Sequence, residues 1–159
     1  MRILGIDPGN VNSAAVLYDP ETRAIEWKFM GSNEEMLEEF VGGFKDTIPV
    51  IEQVKSYGMA VGESVFETVF WSGRFAQALD ARHSWQRLPR LAVKISICHD
   101  SRAKDANIRQ ALIDMFPATG GGKVPQIGTK KQPGPLYGFS KDLWAALAVA
   151  VAYNRIHRY

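Results

Sequence analysis

The sequence predicts an α/β domain, a mixed five-stranded sheet flanked by helices. Three short apolar segments come first, joined by turn residues, and read as an antiparallel meander. Apolar strands then alternate with stretches of helical spacing, which read as βα units. Length is the third constraint: 159 residues suit a single domain over 1–159 that can bury a real core. Hydrophobic residues make up 46% and charged residues 23%, which places the chain among globular rather than disordered proteins.

Each element has its own signal. Residues 2–6, Arg-Ile-Leu-Gly-Ile, read as a buried strand that Asp7-Pro8-Gly9 terminates. Strands over 13–18 and 23–30 follow, connected by Asp19-Pro20-Glu21-Thr22. Ser32 and Asn33 can cap a helix over 34–46, with Met36, Leu37, Phe40 and Val41 on one face. Residues 49–54 read as a fourth strand that carries Glu52. Ser64, with Glu67 three residues on, forms a capping box for a second helix with Val65, Phe66, Val69, Phe70, Ala76 and Leu79 on its apolar face. Residues 91–97 alternate and read as the fifth strand. Asp105 caps a helix over 106–116, which Pro117 ends. Residues 119–135 form a long loop with five Gly, three Pro, three Lys and no acid; such a loop is usually functional or disordered. Ser140 caps the last helix, with Leu143, Leu147, Ala150 and Val151 inward. The order βββ-α-β-α-β-α-loop-α, with the fourth strand beside the first, is that of the RNase H-like fold.

Several classes are excluded. The longest strongly apolar run, 143–152, is too short to span a bilayer. The N-terminal residues lack the apolar stretch of a signal peptide. Cys98 is alone, so neither an intrachain disulfide nor a thiolate zinc site can form, and a reducing, cytoplasmic location is expected. His83, His99 and His157 show no ligand spacing. Ser72-Gly73 is no nucleophile elbow, and Gly120-Gly121-Gly122-Lys123 lacks the spacing of a P-loop, so no nucleotide cofactor is expected.

Three carboxylates carry the chemistry. Asp7 ends a buried strand, Glu52 lies within an apolar one, and Asp142 opens the last helix. Singly, each has an ordinary explanation: a turn residue, an outward-pointing acid, a favourable charge at a helix N-terminus. Together they have another. If the first and fourth strands are adjacent, Asp7 and Glu52 come side by side and the last helix can bring Asp142 over them. Clustered carboxylates without thiolates suit a hard divalent ion, Mg²⁺ or Mn²⁺. Two such ions about 4 Å apart can activate water and stabilise the leaving oxygen in phosphodiester cleavage.

At these residues the chain resembles a known family. Ile3-Leu4-Gly5-Ile6-Asp7-Pro8-Gly9 resembles the opening of RuvC-type Holliday-junction resolvases. Val50-Ile51-Glu52-Gln53-Val54 resembles their second acidic segment, and the run from Asp142 to Ala150 their final helix. Ser56-Tyr57-Gly58-Met59, Phe66-Glu67-Thr68-Val69-Phe70-Trp71 and Gly128-Thr129-Lys130-Lys131 are most similar to the phage-encoded branch. The resemblance implies an RNase H-like fold and a Mg²⁺-dependent crossover junction endodeoxyribonuclease acting as a homodimer. It also implies two ions held by Asp7, Glu52 and Asp142. The family usually carries a fourth acid where this chain has Ala145, so Asp105 or Asp100 could substitute, or the site could be weakened. An aromatic near Tyr57 wedges into the junction in this family, although Tyr57 and Met59 could equally pack the core.

Charge is divided along the chain. The net value of +2 conceals 4 Lys/Arg against 10 Asp/Glu in residues 1–53, and 15 against 7 thereafter. Residues 82–131 hold ten basic residues and three acids, the footprint of a phosphate-backbone binder or of a solvated face. Arg102 and Lys104 precede a helix N-terminus, and Lys123, Lys130 and Lys131 lie on the Gly/Pro loop; with Tyr57 they are the candidate DNA contacts. The aromatic-rich second helix can pack against its copy in a dimer or wholly within the domain. The expected partner is four-way or other branched DNA. Flap, nicked or RNA-containing duplex is an alternative substrate, and a catalytically weak junction binder an alternative role.

Overall fold

The computed structural model describes residues 1–80 and 85–158, with only the backbone at Asp80. His83 lies outside the described residues. The strands are β1 (Arg2–Asp7), β2 (Asn12–Asp19), β3 (Ala24–Ser32), β4 (Thr47–Gln53) and β5 (Gln86–Pro89). The helices are α1 (Asn33–Phe40), α2 (Glu63–Asp80), α3 (Arg90–Cys98), α4 (Asp105–Met115) and α5 (Asp142–Ile156). The sheet order is β3-β2-β1-β4-β5. β1, β2 and β3 form the antiparallel meander, and β4 and β5 run parallel to β1. This is the mixed five-stranded RNase H-like sheet the pattern predicts.

Alternation along the strands divides the apolar residues between two cores. Leu4 and Ile6 of β1 and Ile51 of β4 pack with Met36, Phe40, Phe75 and Leu79 of α1 and α2. Ile3 of β1 and Val50 of β4 pack with α3, α4 and α5. α5 is buried on nearly every side, from Leu143 to Ala152 with only Ala145 half-exposed. It lies directly on β1 at Gly5. A Cβ there would overlap the carbonyl oxygen of Ala146 and sit 2.9 Å from Ala150 Cβ.

Several local expectations are corrected. Residues 91–97 are not a strand but most of α3, and the fifth strand is the four-residue segment before it. Apolar residues at 91, 93, 95 and 97 imitate strand alternation. Only Val93 and Ile97, one helical turn apart, are buried, while Leu91 and Ile95 are exposed. α1 is eight residues long, shorter than 34–46, because Gly42, with φ +81°, follows its end. Ser32 caps it by accepting from the Glu35 amide, whereas Asn33 is already helical, and Val41 is exposed. Ser64 does not cap α2. The Gly62 carbonyl takes the Val65 and Phe66 amides, and the helix has already begun at Glu63. Lys104, not Asp105, is the cap of α4, its amide donating to the Asn107 side chain. Lys141, not Ser140, precedes α5, in the positive-φ conformation (40°) unusual for a side-chain-bearing residue.

The contact at Gly5 is testable against a glycine in open space. Gly5→Ala is expected to cost about 3 kcal/mol or more, lowering Tm by roughly 10 °C. Gly73, inside α2, has no neighbour that an added Cβ would meet. Gly73→Ala is expected to raise stability by about 0.5–1 kcal/mol through helix propensity. Thermal melts of both variants check the pair; a Gly5→Ala melt equal to that of the parent chain would refute the close packing.

Candidate active site

β1 and β4 are in parallel register through Ile6 opposite Ile51, so Asp7 and Glu52 stand at the next position of each strand. Asp7 follows Gly5 by two residues and Glu52 follows Val50 by two, so both acids belong to the α5 side of the sheet. The close approach at Gly5 brings the first turn of α5, and with it Asp142, to the same end. Asp7, Glu52, Asp105 and Asp142 all line one cleft of about 950 Å³, together with Arg90, Arg109, Lys141 and Ala145.

The turn after Asp7 is pinned by a buried polar network. The Gly9 amide donates to Ser13 Oγ at 3.0 Å, and Ser13 Oγ donates to Asn33 Oδ1 at 2.6 Å. Asn33 Nδ2 returns a bond to the Gly9 carbonyl at 3.0 Å. Ser13 and Asn33 are buried and polar, and the loop of bonds satisfies both. Asn33 thus supports the turn rather than capping its helix.

Burial, followed by the negative charges of Glu52 and Asp142, pushes the Asp7 carboxyl up to about 8; Arg90 pulls the other way. Burial also raises Glu52, against the opposing pull of Arg90. The Arg90 guanidinium lies 3.6 Å from Glu52 Oε1 and also pairs with Asp105. Arg90 is a site residue that the sequence reading missed. Taken as the approach to a strand, it had no defined direction; as the first residue of α3, it faces the cleft. Asp105 reaches the cleft because it is the first helical residue of α4. Asp100 does not line it and instead accepts the Arg102 amide.

These acids are oxygen donors of the kind a hard divalent ion takes; burial is the main reason the Asp7 carboxyl is raised, and a bound cation would offset both that burial and the smaller repulsion from Glu52 and Asp142. The oxygen donors that line the cleft, Asp7, Glu52, Asp105 and Asp142, fit such an ion in chemistry and charge. Among the described residues, however, no three His, Cys, Asp or Glu side chains are close enough to form a ready metal cluster. The cation already among them is Arg90.

None of the candidate DNA contacts is among the residues that line this cleft. Lys123, Lys130 and Lys131 are exposed on the Gly/Pro loop, whose Val124 and Ile127 line the cleft. Arg102 and Lys104 are exposed just before α4. Tyr57 and Met59 are 62% and 78% exposed, so neither packs the core, and neither lines the cleft. His99 ends α3 and His157 stacks on Tyr153, with ring centroids 4.1 Å apart. No helix among the described residues is long and apolar enough to cross a membrane.

Sheet order and helix placement define an RNase H-like domain with acids at the ends of two parallel strands. Two of the solved structures that the chain resembles are of RuvC. A Thermus thermophilus RuvC structure matches with a TM-score of 0.66 at 14% identity, over 99% of this chain and 96% of that one. T. thermophilus RuvC in complex with Holliday junction substrate matches with a TM-score of 0.64 at 15% identity, over 99% and 95%. The chain therefore has the RuvC fold. No family model matches it, and neither does any curated protein compared.

The raised Asp7 has a consequence for stability. The folded state holds this proton to about pH 8, whereas the ordinary carboxyl releases it near 3.8. The folded chain therefore binds more protons than the unfolded chain across that window, and stability falls as pH rises through it. Without divalent ions, Asp7→Asn is expected to raise Tm at pH 8 by about 3–6 °C and to have little effect near pH 4. Melts at the two pH values check this; an equal effect at both would refute the assignment.

Proposed function

We propose that the chain is a divalent-metal-dependent, structure-selective DNA endonuclease that resolves four-way or other branched DNA. One observation carries the reading: the register of β1 and β4 sets Asp7 beside Glu52 under the N-terminus of α5, in a fold shared with a RuvC solved in complex with Holliday junction substrate. Mg²⁺ or Mn²⁺, as a pair of ions, would activate the attacking water and stabilise the leaving oxygen. Asp7, Glu52 and Asp142 are assigned to hold the ions. All three line one cleft, in which a backbone phosphate would meet the ions.

Binding is assigned to the candidate basic groups. Lys123, Lys130, Lys131, Arg102 and Lys104 would neutralise phosphates and give the affinity its salt dependence. The exposed Tyr57 is assigned to stack on an unpaired base at the branch. On α2, Phe66 and Phe70 are 64% and 58% exposed and Val69 lies between them, so this face is not covered within the domain. A homodimer through it would give a two-fold junction one cleft per cut strand. The reading uses no nucleotide cofactor and belongs in the cytoplasm of a bacterial or phage-infected cell.

A second reading, a junction binder of weak catalytic power, is favoured by Ala145 in the cleft where the family has an acid. Labelled four-way junction, flap and linear duplex, each with and without Mg²⁺, separate the two. Paired Mg²⁺-dependent cuts in the junction are expected, reduced about a hundredfold or more by Asp7→Asn or Asp142→Asn. Ala145→Asp should raise the rate. Binding of junction without cleavage of any substrate would replace the first reading by the second. Phe66→Glu with Phe70→Glu should give a monomer in light scattering; a dimer that survives would exclude this face as the interface.

A further inference from the structure

Arg90 stands where a cation is already needed. Its guanidinium is shared between Glu52 of β4, at 3.6 Å, and Asp105 of α4. Glu52 is nearly buried, with its side chain 14% exposed, while the Arg90 side chain is 39% exposed. The position does not serve the helix. Arg90 is the first residue of α3, where the helix dipole disfavours a positive charge. No acid lies in the first turn of α3 to offset it. Four acids and three basic residues line the cleft, so one guanidinium is a large part of its charge balance.

We propose that Arg90 is a resident counter-cation that competes with the divalent ion for Glu52 and thereby sets the ion concentration at which the site fills. This rests on the metal-binding role given to Glu52 above. An ion that takes Glu52 Oε1 would displace the guanidinium, and one that takes Oε2 would bind against its positive charge at close range. The pair with Asp105, on a different element, then keeps the guanidinium in the cleft.

The test is Mn²⁺ binding to the DNA-free chain, read by the EPR signal of the free ion and by calorimetry. An opposite charge within about 4–6 Å shifts the affinity of a carboxylate for a proton by about one to three powers of ten, and the same field acts on a competing cation. Arg90→Gln is therefore expected to tighten Mn²⁺ binding about tenfold or more. Arg90→Lys keeps the charge and should bind nearly as the parent chain does. Equal or weaker binding by Arg90→Gln overturns the inference while leaving the metal site standing. Tightening by Arg90→Lys as large as that by Arg90→Gln also overturns it, because shape rather than charge would then be responsible. No Mn²⁺ binding by any of the three would overturn the metal-site reading and this inference with it.

Discussion

The contact between Gly5 and α5 is the constraint on which the cleft depends. A helix usually rests on a sheet through side chains that hold the two layers apart. Here a missing Cβ on β1 meets small residues, Ala146 and Ala150, and the backbones approach closely. That approach fixes both the height and the axial position of α5. Moving from Gly5 two residues along β1 reaches Asp7, and moving from Ala146 one turn back along α5 reaches Asp142. The spacing of two acids on different layers is thus set by packing two residues from one charge and four from the other. This apolar contact also supports the cost of crowding the acids, since burial and neighbouring charge hold the Asp7 carboxyl far above its ordinary value.

Parallel pairing supplies the other coordinate. Because β4 enters the sheet beside β1 rather than beside β3, two residues 45 positions apart become neighbours at one sheet end. Each acid then continues the alternation of its own strand, with Gly5 before Asp7 and Val50 before Glu52. A one-residue slip would send Glu52 to the α1–α2 side, into the cluster of Phe40, Phe75 and Leu79. Burial of Ile51 on that side therefore holds Glu52 on the other. The core specifies the polar end without touching it.

The meander and the last helix are legible in the sequence because each has a long or unambiguous apolar signal, whereas the adjacency of β1 and β4 comes only from the likeness of the element order to the RNase H-like fold. Failures occurred where two periods coincide or where a side-chain motif competes with a backbone alternative. Apolar residues at every second position of 91–97 satisfy a strand, yet one helical turn of them suffices for α3. Ser64 and Ser140 look like caps, but carbonyls of Gly62, Ser140 and Lys141 take the first amides of α2 and α5. The misread strand had a cost at the site. It removed the reason for Arg90 to face Glu52, and the choice of Asp105 as a cap gave that acid an occupation elsewhere. Side-chain direction at a helix start depends on which residue begins the helix, and a sequence pattern places that boundary least well.

The Gly/Pro loop shows how composition alone can mislead. Five glycines and three prolines in 119–135 resemble a flexible linker, yet the backbone is tied to itself. The Gly120 amide donates to the Pro125 carbonyl at 2.8 Å, Gly121 to Gln132 at 2.9 Å, and Gly134 to Ile127 at 2.9 Å. An added Cβ at Gly120 would lie 2.6 Å from the Gly134 nitrogen, so these glycines allow strands of backbone to touch rather than to move. Leu136, fully buried, anchors the far end in the α5-side core. The lysines at 123, 130 and 131 therefore project from an ordered frame whose conformational entropy was lost in folding. A polyanion meeting them would order side chains but not backbone, which lowers the entropic cost of each contact relative to a loop that folds on binding.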